Sequence, residues 1–357
     1  MSLVVTVEKM AGGGDALARL DDGRVVFVPG ALPGETVAIR LVQARKDYAR
    51  AAVERIVVAS PDRVVPSCPG HAAGCGGCDW IHIAPAAQRR WKSEIVREAL
   101  VRTGRLHDPV VVDGGSVPSW GYRSTMRAAV GDGGRLGLRA ASSHRVVVLN
   151  GCPVATPELS AMVAAERAPH GTDEVTLRPD DVLDVDGVRL ALSPESFSQS
   201  GPEAARLLVR TVACVLDEWP SGGTFLDAYG GAGLFSATVG AAYDRVVLVE
   251  SSVSACADAR RNVPAAEVVC SPFEEWTPVP VDVAVVDPAR SGLGRDAAAV
   301  LSETGVGRVV LVSCDPVAGA RDIALLSGHG FVHRTSIVLD LFPQTHHVEV
   351  VSVLERP

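Results

Sequence analysis

The chain has 357 residues, 47% hydrophobic and 21% charged, with a net charge of −8, enough for two or three domains with separate cores. No run of about 18 apolar residues offers a membrane span, and MSLVVTVEKMAGGGDA lacks the basic start and long apolar stretch of a secretory signal, so a cytoplasmic location is expected. Residues 1–150 carry 20 Lys/Arg against 14 Asp/Glu and residues 151–357 carry 14 against 28, a basic front that suits RNA contact although solvated faces produce such an imbalance by chance.

Residues 1–58 read as short strands with Gly/Pro punctuation, and Asp21-Asp22-Gly23 before VVFV is a hairpin signal. Several such strands in so short a stretch predict a small β-barrel of the OB type. SPDRVVPS at 60–67 reads as a linker. Residues 59–200 form a second unit with a cysteine-rich start, a helix over 84–104 with Trp91, Ile95 and Leu100 on an apolar stripe, and a strand-rich remainder. The helix is expected to pack on the third unit. From 201 to 357 apolar strands alternate with helices, the pattern of a parallel α/β sheet. SIVLDLFPQTHHVEVVSVLERP at the end reads as an added antiparallel edge hairpin. One chain without an extra apolar segment is expected to be a monomer.

Five motifs carry chemistry. LDAYGGAG at 226–233 places glycines between a buried strand and a helix, where backbone N–H groups meet a ligand closely, and Glu250 ends the next strand, suited to a ribose. Tight strand–helix turns also use glycine for packing; as a ligand site the pattern fits S-adenosylmethionine and a dinucleotide equally. VVDPARSGLG puts Asp287 at the carboxyl edge of the sheet, where open α/β folds bind ligands, or at a turn, as Asp-Pro often is. LVSCDP ends a buried strand in Cys314; a cysteine is more often a small core residue, but the Asp-Pro that follows leaves this thiol near the loop. DLFPQTHHVE gathers Asp340, His346, His347 and Glu349, with no third ligand at spacing that makes the His pair a metal site. CPGHAAGCGGCDW, with Cys152-Pro153 further on, sets Cys68, Cys75 and Cys78 at C-x6-C-x2-C. In a reducing compartment such a set binds metal rather than forming disulfides; on spacing alone zinc and iron–sulfur fit equally.

Together these motifs resemble the RNA uracil-5 methyltransferase family over nearly the whole chain. The resemblance implies an N-terminal TRAM barrel, a small strand-rich iron–sulfur domain and a C-terminal Rossmann-like methyltransferase domain. It implies a [4Fe–4S] cluster on Cys68, Cys75, Cys78 and Cys152, with a first gap one residue longer than the family's. It also implies S-adenosylmethionine contacts from Gln199, Tyr229, Glu250 and Asp287, a nucleophile at Cys314 and a general base at Glu349. Two positions depart from the family pattern: Gly201 and Asp315 stand where asparagine is usual.

The residue types match the reaction that this family implies. C5 of uracil is a weak nucleophile, and thiolate addition at C6 moves electron density onto it. A base then removes the C5 proton while the thiol leaves. Such a thiolate needs a lowered pKa or a nearby base, and the uridine must leave its stack. The front half would hold the surrounding RNA. Barrel and cysteine set together lean toward 23S rRNA, with tRNA position 54 as the alternative. Three competing readings are weaker. An RNA cytosine-5 methyltransferase would carry a cysteine beside Asp287. A dinucleotide oxidoreductase leaves Cys314 and Glu349 as accidents. A non-catalytic iron–sulfur RNA-binding protein leaves the intact set Gln199, Asp287, Cys314 and Glu349 without a purpose.

Overall fold

A computed structural model of the chain describes residues 3–169 and 171–357, so the first two residues of the expected barrel and residue 170 of the second unit lie outside the description. Strands β1 (Leu3–Met10), β2 (Ala16–Arg19), β3 (Val25–Val28), β4 (Thr36–Ala44) and β5 (Tyr48–Val58) close a barrel in the order β1-β2-β3-β5-β4. Alternation puts Val5, Val7, Ala16, Ala18, Val26 and Val28 inside; small alanines suit the narrow interior of such a barrel. The turn at 21–23 joins β2 to β3 as an antiparallel hairpin.

After the barrel come α1 (Pro69–Ala72), α2 (Pro85–Arg102) and β6 (Val111–Ser116). Then β7 (Met126–Val130), β8 (Leu136–Arg139), β9 (Val146–Val148), α3 (Pro157–Ala165) and β10 (Glu174–Leu177) build a sheet ordered β10-β7-β8-β9, and β11 (Val182–Val185) pairs with β12 (Val188–Ala191). The helix predicted over 84–104 therefore runs from Pro85 to Arg102. Its single apolar stripe is in fact two: Ala87 and Ile95 join the barrel core, while Val96, Ala99 and Leu100 join the core under the large sheet. The stripe read from the sequence spans both contacts, with Trp91 and Ile95 on the barrel side and Leu100 on the sheet side, and a helix buried on two sides shows weak amphipathicity.

The remainder is α4 (Pro202–Leu216), β13 (Thr224–Ala228), α5 (Leu234–Ala237), β14 (Arg245–Glu250), α6 (Val253–Asn262), β15 (Glu267–Cys270), β16 (Val283–Val286), α7 (Gly294–Glu303), β17 (Arg308–Ser313), α8 (Pro316–Gly328), β18 (Val332–Asp340) and β19 (Glu349–Glu355). The sheet runs β15-β14-β13-β16-β17-β19-β18-β6. Its first five strands are parallel and β19 runs antiparallel between β17 and β18. The central strands are apolar on both faces, as a parallel sheet covered on both sides requires: all four residues of β16 are buried. This is the Rossmann-like α/β architecture expected. The terminal hairpin, however, is not the edge. Parallel pairing of Ser336–Val338 with Val111–Asp113 adds β6 outside it. The β6 sequence VVDGGS is short, glycine-containing and has no buried residue, so its pattern carries no sign of membership in that sheet. No helix among the described residues is long and apolar enough to cross a membrane.

Candidate active site

The carboxyl ends of the parallel strands share one edge. Ala228 is level with Val249 on one side and Val286 on the other. The next residues, Tyr229, Glu250 and Asp287, thus stand in a row across three strands. Glu250 accepts the Gly231 N–H at 3.0 Å and the Ser252 N–H at 2.7 Å, tying the glycine-rich turn to the start of α6. Tyr229 has φ +62, an uncommon left-handed value for a bulky residue, and its ring lies 5.4 Å from that of Phe273.

Oδ1 of Asp227, two residues before Tyr229, and Oε1 of Gln199 are among the buried polar atoms without a hydrogen-bond partner among the described residues. Buried polar groups are almost always paired, so each of these two oxygens is free to take a polar ligand. The other Asp227 oxygen accepts both the N–H and the hydroxyl of Ser236, and burial pushes this carboxyl up to about 6. The sequence motifs do not single out Asp227; an acid inside an otherwise apolar buried strand is the signal that could have found it. The stretch leading to Gln199 is held by α6: Asp258 accepts from the Ser193 N–H and hydroxyl and from the Ser196 hydroxyl, at 2.6–2.7 Å. Asn262 donates to the carbonyls of Ala191 and Ala232. One helix therefore fixes the segments on both sides of this edge.

Cys314 follows the last residue of β17. Ser313 pairs with Val350, so the antiparallel register sets Cys314 opposite Glu349, the first residue of β19. Glu349 is 4% exposed; burial and then Asp287 raise its carboxyl well above the ordinary range, while Arg290 pulls it back. Burial, followed by Asp227, pushes Asp287 up to about 7. The thiol of Cys314 is pushed up to about 11 by burial first and Glu349 second, with Arg290 acting against them. The thiol is therefore raised rather than lowered in the free protein, and a carboxyl stands opposite it. Arg290 is a further residue of this site that strand-end patterns do not mark, although it sits three residues past Asp287 in the same motif.

Both departures from the expected pattern have local causes. A Cβ on Gly201 would lie 2.2 Å from the Tyr122 carbonyl oxygen, so no side chain fits there. Asp315 caps α8, accepting from the Val317 and Ala318 N–H groups at 2.9 and 2.8 Å, a position that Asp and Asn fill equally well.

Cys68, Cys75, Cys78 and Cys152 line one enclosed cavity with Arg123 and Trp120 at its wall. All four are free thiols. Burial raises Cys75, Cys78 and Cys152, and repulsion from the neighbouring thiolates adds to it. Three thiols that resist ionising, with a fourth in the same cavity, fit a cationic group placed among them. Among the described residues no three His, Cys, Asp or Glu side chains are drawn together closely enough to close on one ion.

Compared with known proteins, residues 3–53 match the TRAM domain model and residues 278–357 match the tRNA (Uracil-5-)-methyltransferase model. An uncharacterized RNA methyltransferase of Streptomyces avermitilis is 34% identical over 98% of this chain and 97% of its own. A 23S rRNA (uracil(1939)-C(5))-methyltransferase of Azoarcus sp. is 29% identical over 98% of this chain and 99% of its own. The crystal structure of Pyrococcus abyssi tRNA (uracil-54, C5)-methyltransferase in complex with S-adenosyl-L-homocysteine shares the fold, with TM-score 0.75 and 23% identity over 99% of this chain and 100% of that one.

Proposed function

We propose that this chain, which belongs to the RNA uracil-5 methyltransferase family, carries out its S-adenosylmethionine-dependent methylation of uridine C5 through Cys314 as nucleophile and Glu349 as general base. The observation that carries the reading is the β17–β19 register, which sets the thiol opposite a buried carboxyl. S-adenosylmethionine supplies the methyl group as an electrophile when bound. Gln199, Tyr229, Glu250 and Asp287 are the residues proposed to hold it, Glu250 at the ribose, with the unpaired oxygens of Gln199 and Asp227 taking its polar groups.

In this mechanism the Cys314 sulfur bonds to C6 of the extruded uracil, and C5 becomes nucleophilic. Once C5 carries both the methyl group and its original hydrogen, Glu349 as carboxylate takes that proton. The C5–H electron pair forms the C5=C6 double bond, the C6–S bond breaks and the thiolate leaves. Both groups hold their protons too tightly in the free protein, so kcat/KM is expected to keep rising with pH from neutrality toward the Cys314 value of about 11. Arg290 is the cation that offsets the negative charge accumulating at this edge.

Cys68, Cys75, Cys78 and Cys152 are proposed to hold a [4Fe–4S] cluster as a structural tie under the RNA-binding half; iron and sulfide analysis of anaerobically purified protein tests it. The favoured substrate is 23S rRNA, supported by the full-length similarity to the Azoarcus enzyme. A cytoplasmic monomer completes the proposal. Incubation with 5-fluorouridine RNA and S-adenosylmethionine is expected to trap a covalent complex that Cys314→Ala abolishes; a complex formed equally by that variant sinks the assignment. Nucleoside mass spectrometry of rRNA and tRNA from a deletion strain separates the two substrates.

A further inference from the structure

The segment between β18 and β19, which leads into Glu349, is held largely by groups that lie far from it in the chain. Gln344 has φ +70, a left-handed conformation that a glutamine does not favour by itself. It is kept there by Gln88 of α2, whose buried amide accepts the Gln344 N–H at 2.8 Å and donates to the Gln344 side chain at 3.1 Å. The Trp80 backbone N–H donates to the Gln344 carbonyl at 3.0 Å, and the Tyr122 hydroxyl to the Pro343 carbonyl at 3.0 Å. The last anchor from a distant part of the chain before Glu349 is Asp79, the residue after Cys78. Its two oxygens meet the His346 backbone N–H at 3.2 Å and the His346 ring Nδ1 at 2.6 Å. The barrel leaves room for this pair only because position 14 is glycine: a Cβ there would stand 2.6 Å from His346 Cβ and 2.9 Å from Asp79 Oδ2.

From His346 the connection to the base is short. Its ring lies 4.3 Å from that of His347, Val348 is buried, and Glu349 follows. We infer that Asp79, acting through His346, is a positioning residue for proton removal by Glu349, so that the cysteine-bearing segment sets the geometry of the last chemical step. This rests on the proposed roles of Cys314 and Glu349. A base displaced by a fraction of an ångström leaves addition and methyl transfer possible but slows the step that releases the product. The consequence is specific: methylated RNA remains bonded to the protein through the C6–S bond.

The test compares wild type, Asp79→Ala, His346→Ala and the double variant, each full-length with its iron content measured, on a natural-uridine transcript that the wild type methylates. Turnover is read with a labelled methyl donor and protein–RNA adduct on denaturing gels. Both single variants should lose about tenfold or more in kcat, with KM for RNA changed by less than about threefold. Both should accumulate methylated adduct, and the double variant should be no worse than either single one. Asp79→Asn, which keeps an oxygen for the His346 N–H, should recover part of the rate. Loss of turnover without adduct, or losses that multiply in the double variant, overturns the positioning role. Because His346 lies far in sequence from the cysteines, its variant separates this role from an effect on iron content. Failure of the wild type to form any adduct with 5-fluorouridine RNA overturns the Cys314 assignment itself, and this inference with it.

Discussion

Cys314 sits between opposed influences: burial and the Glu349 carboxyl keep its proton on, and Arg290 works to remove it. A raised thiol pKa means little thiolate at neutral pH, so alkylation by iodoacetamide should accelerate about tenfold per pH unit and keep rising beyond about pH 9. Glu349→Gln removes the second-largest cause of the shift and should move the profile to lower pH. A wild-type rate that levels off before that point contradicts this account. The sequence announces the cysteine and the two acids through their strand-end motifs. It does not announce their proton affinities, because those depend on which strands become neighbours. Gly201 and Asp315 look like losses relative to the family pattern. Their causes, a carbonyl pressed against one and two helix N–H groups on the other, are local but arise only once the chain has folded.

At the scale of elements, α2 is the part whose role is least legible in the sequence. Apolar periodicity identifies it as a helix, yet two of its polar residues, Gln88 and Lys92, are fully buried. They lie one turn apart and both reach the segment between β18 and β19. Lys92 Nζ contacts Asp340 Oδ1 at 2.5 Å and the Phe342 carbonyl at 3.2 Å. Burial lowers the lysine and raises the aspartate, so each needs the other's charge. Removing one partner should therefore cost about 3–5 kcal/mol, whereas replacing both with apolar residues of similar volume should cost far less. Thermal or urea unfolding of Lys92→Met against Lys92→Met/Asp340→Leu measures the difference; equal stability of the two variants refutes it. Strands β13, β14, β16 and β17 are plain in the sequence because a short apolar run rich in valine, bounded by turn residues, favours a strand buried on both faces. Strand β6 is not, since its membership is decided by a partner more than 200 residues away.

Across the whole molecule, the three sequence-defined units are tied together by α2 and β6. Helix α2 has one side in the barrel core and another in the core under the sheet, while one face of that sheet shares its core with β7–β12 and α4. Residues 201–357 made alone would expose the edge of β18 and the underside left by α2. They should be poorly soluble and melt at lower temperature, and restoring the 84–116 segment should recover a cooperative transition by circular dichroism. Independent, native-like folding of the 201–357 fragment would show that the units are less interdependent than this.

The pairing of β6 with β18 also has a consequence in time. About 220 residues separate the two strands, which at roughly 5–20 residues per second is on the order of 10–40 seconds of ribosomal synthesis. Throughout that interval β6 has emerged without its native partner, and for most of it the four cysteines are outside as well. The large sheet is finished only once β18 and β19 have been made, when the strand that began it has long been waiting.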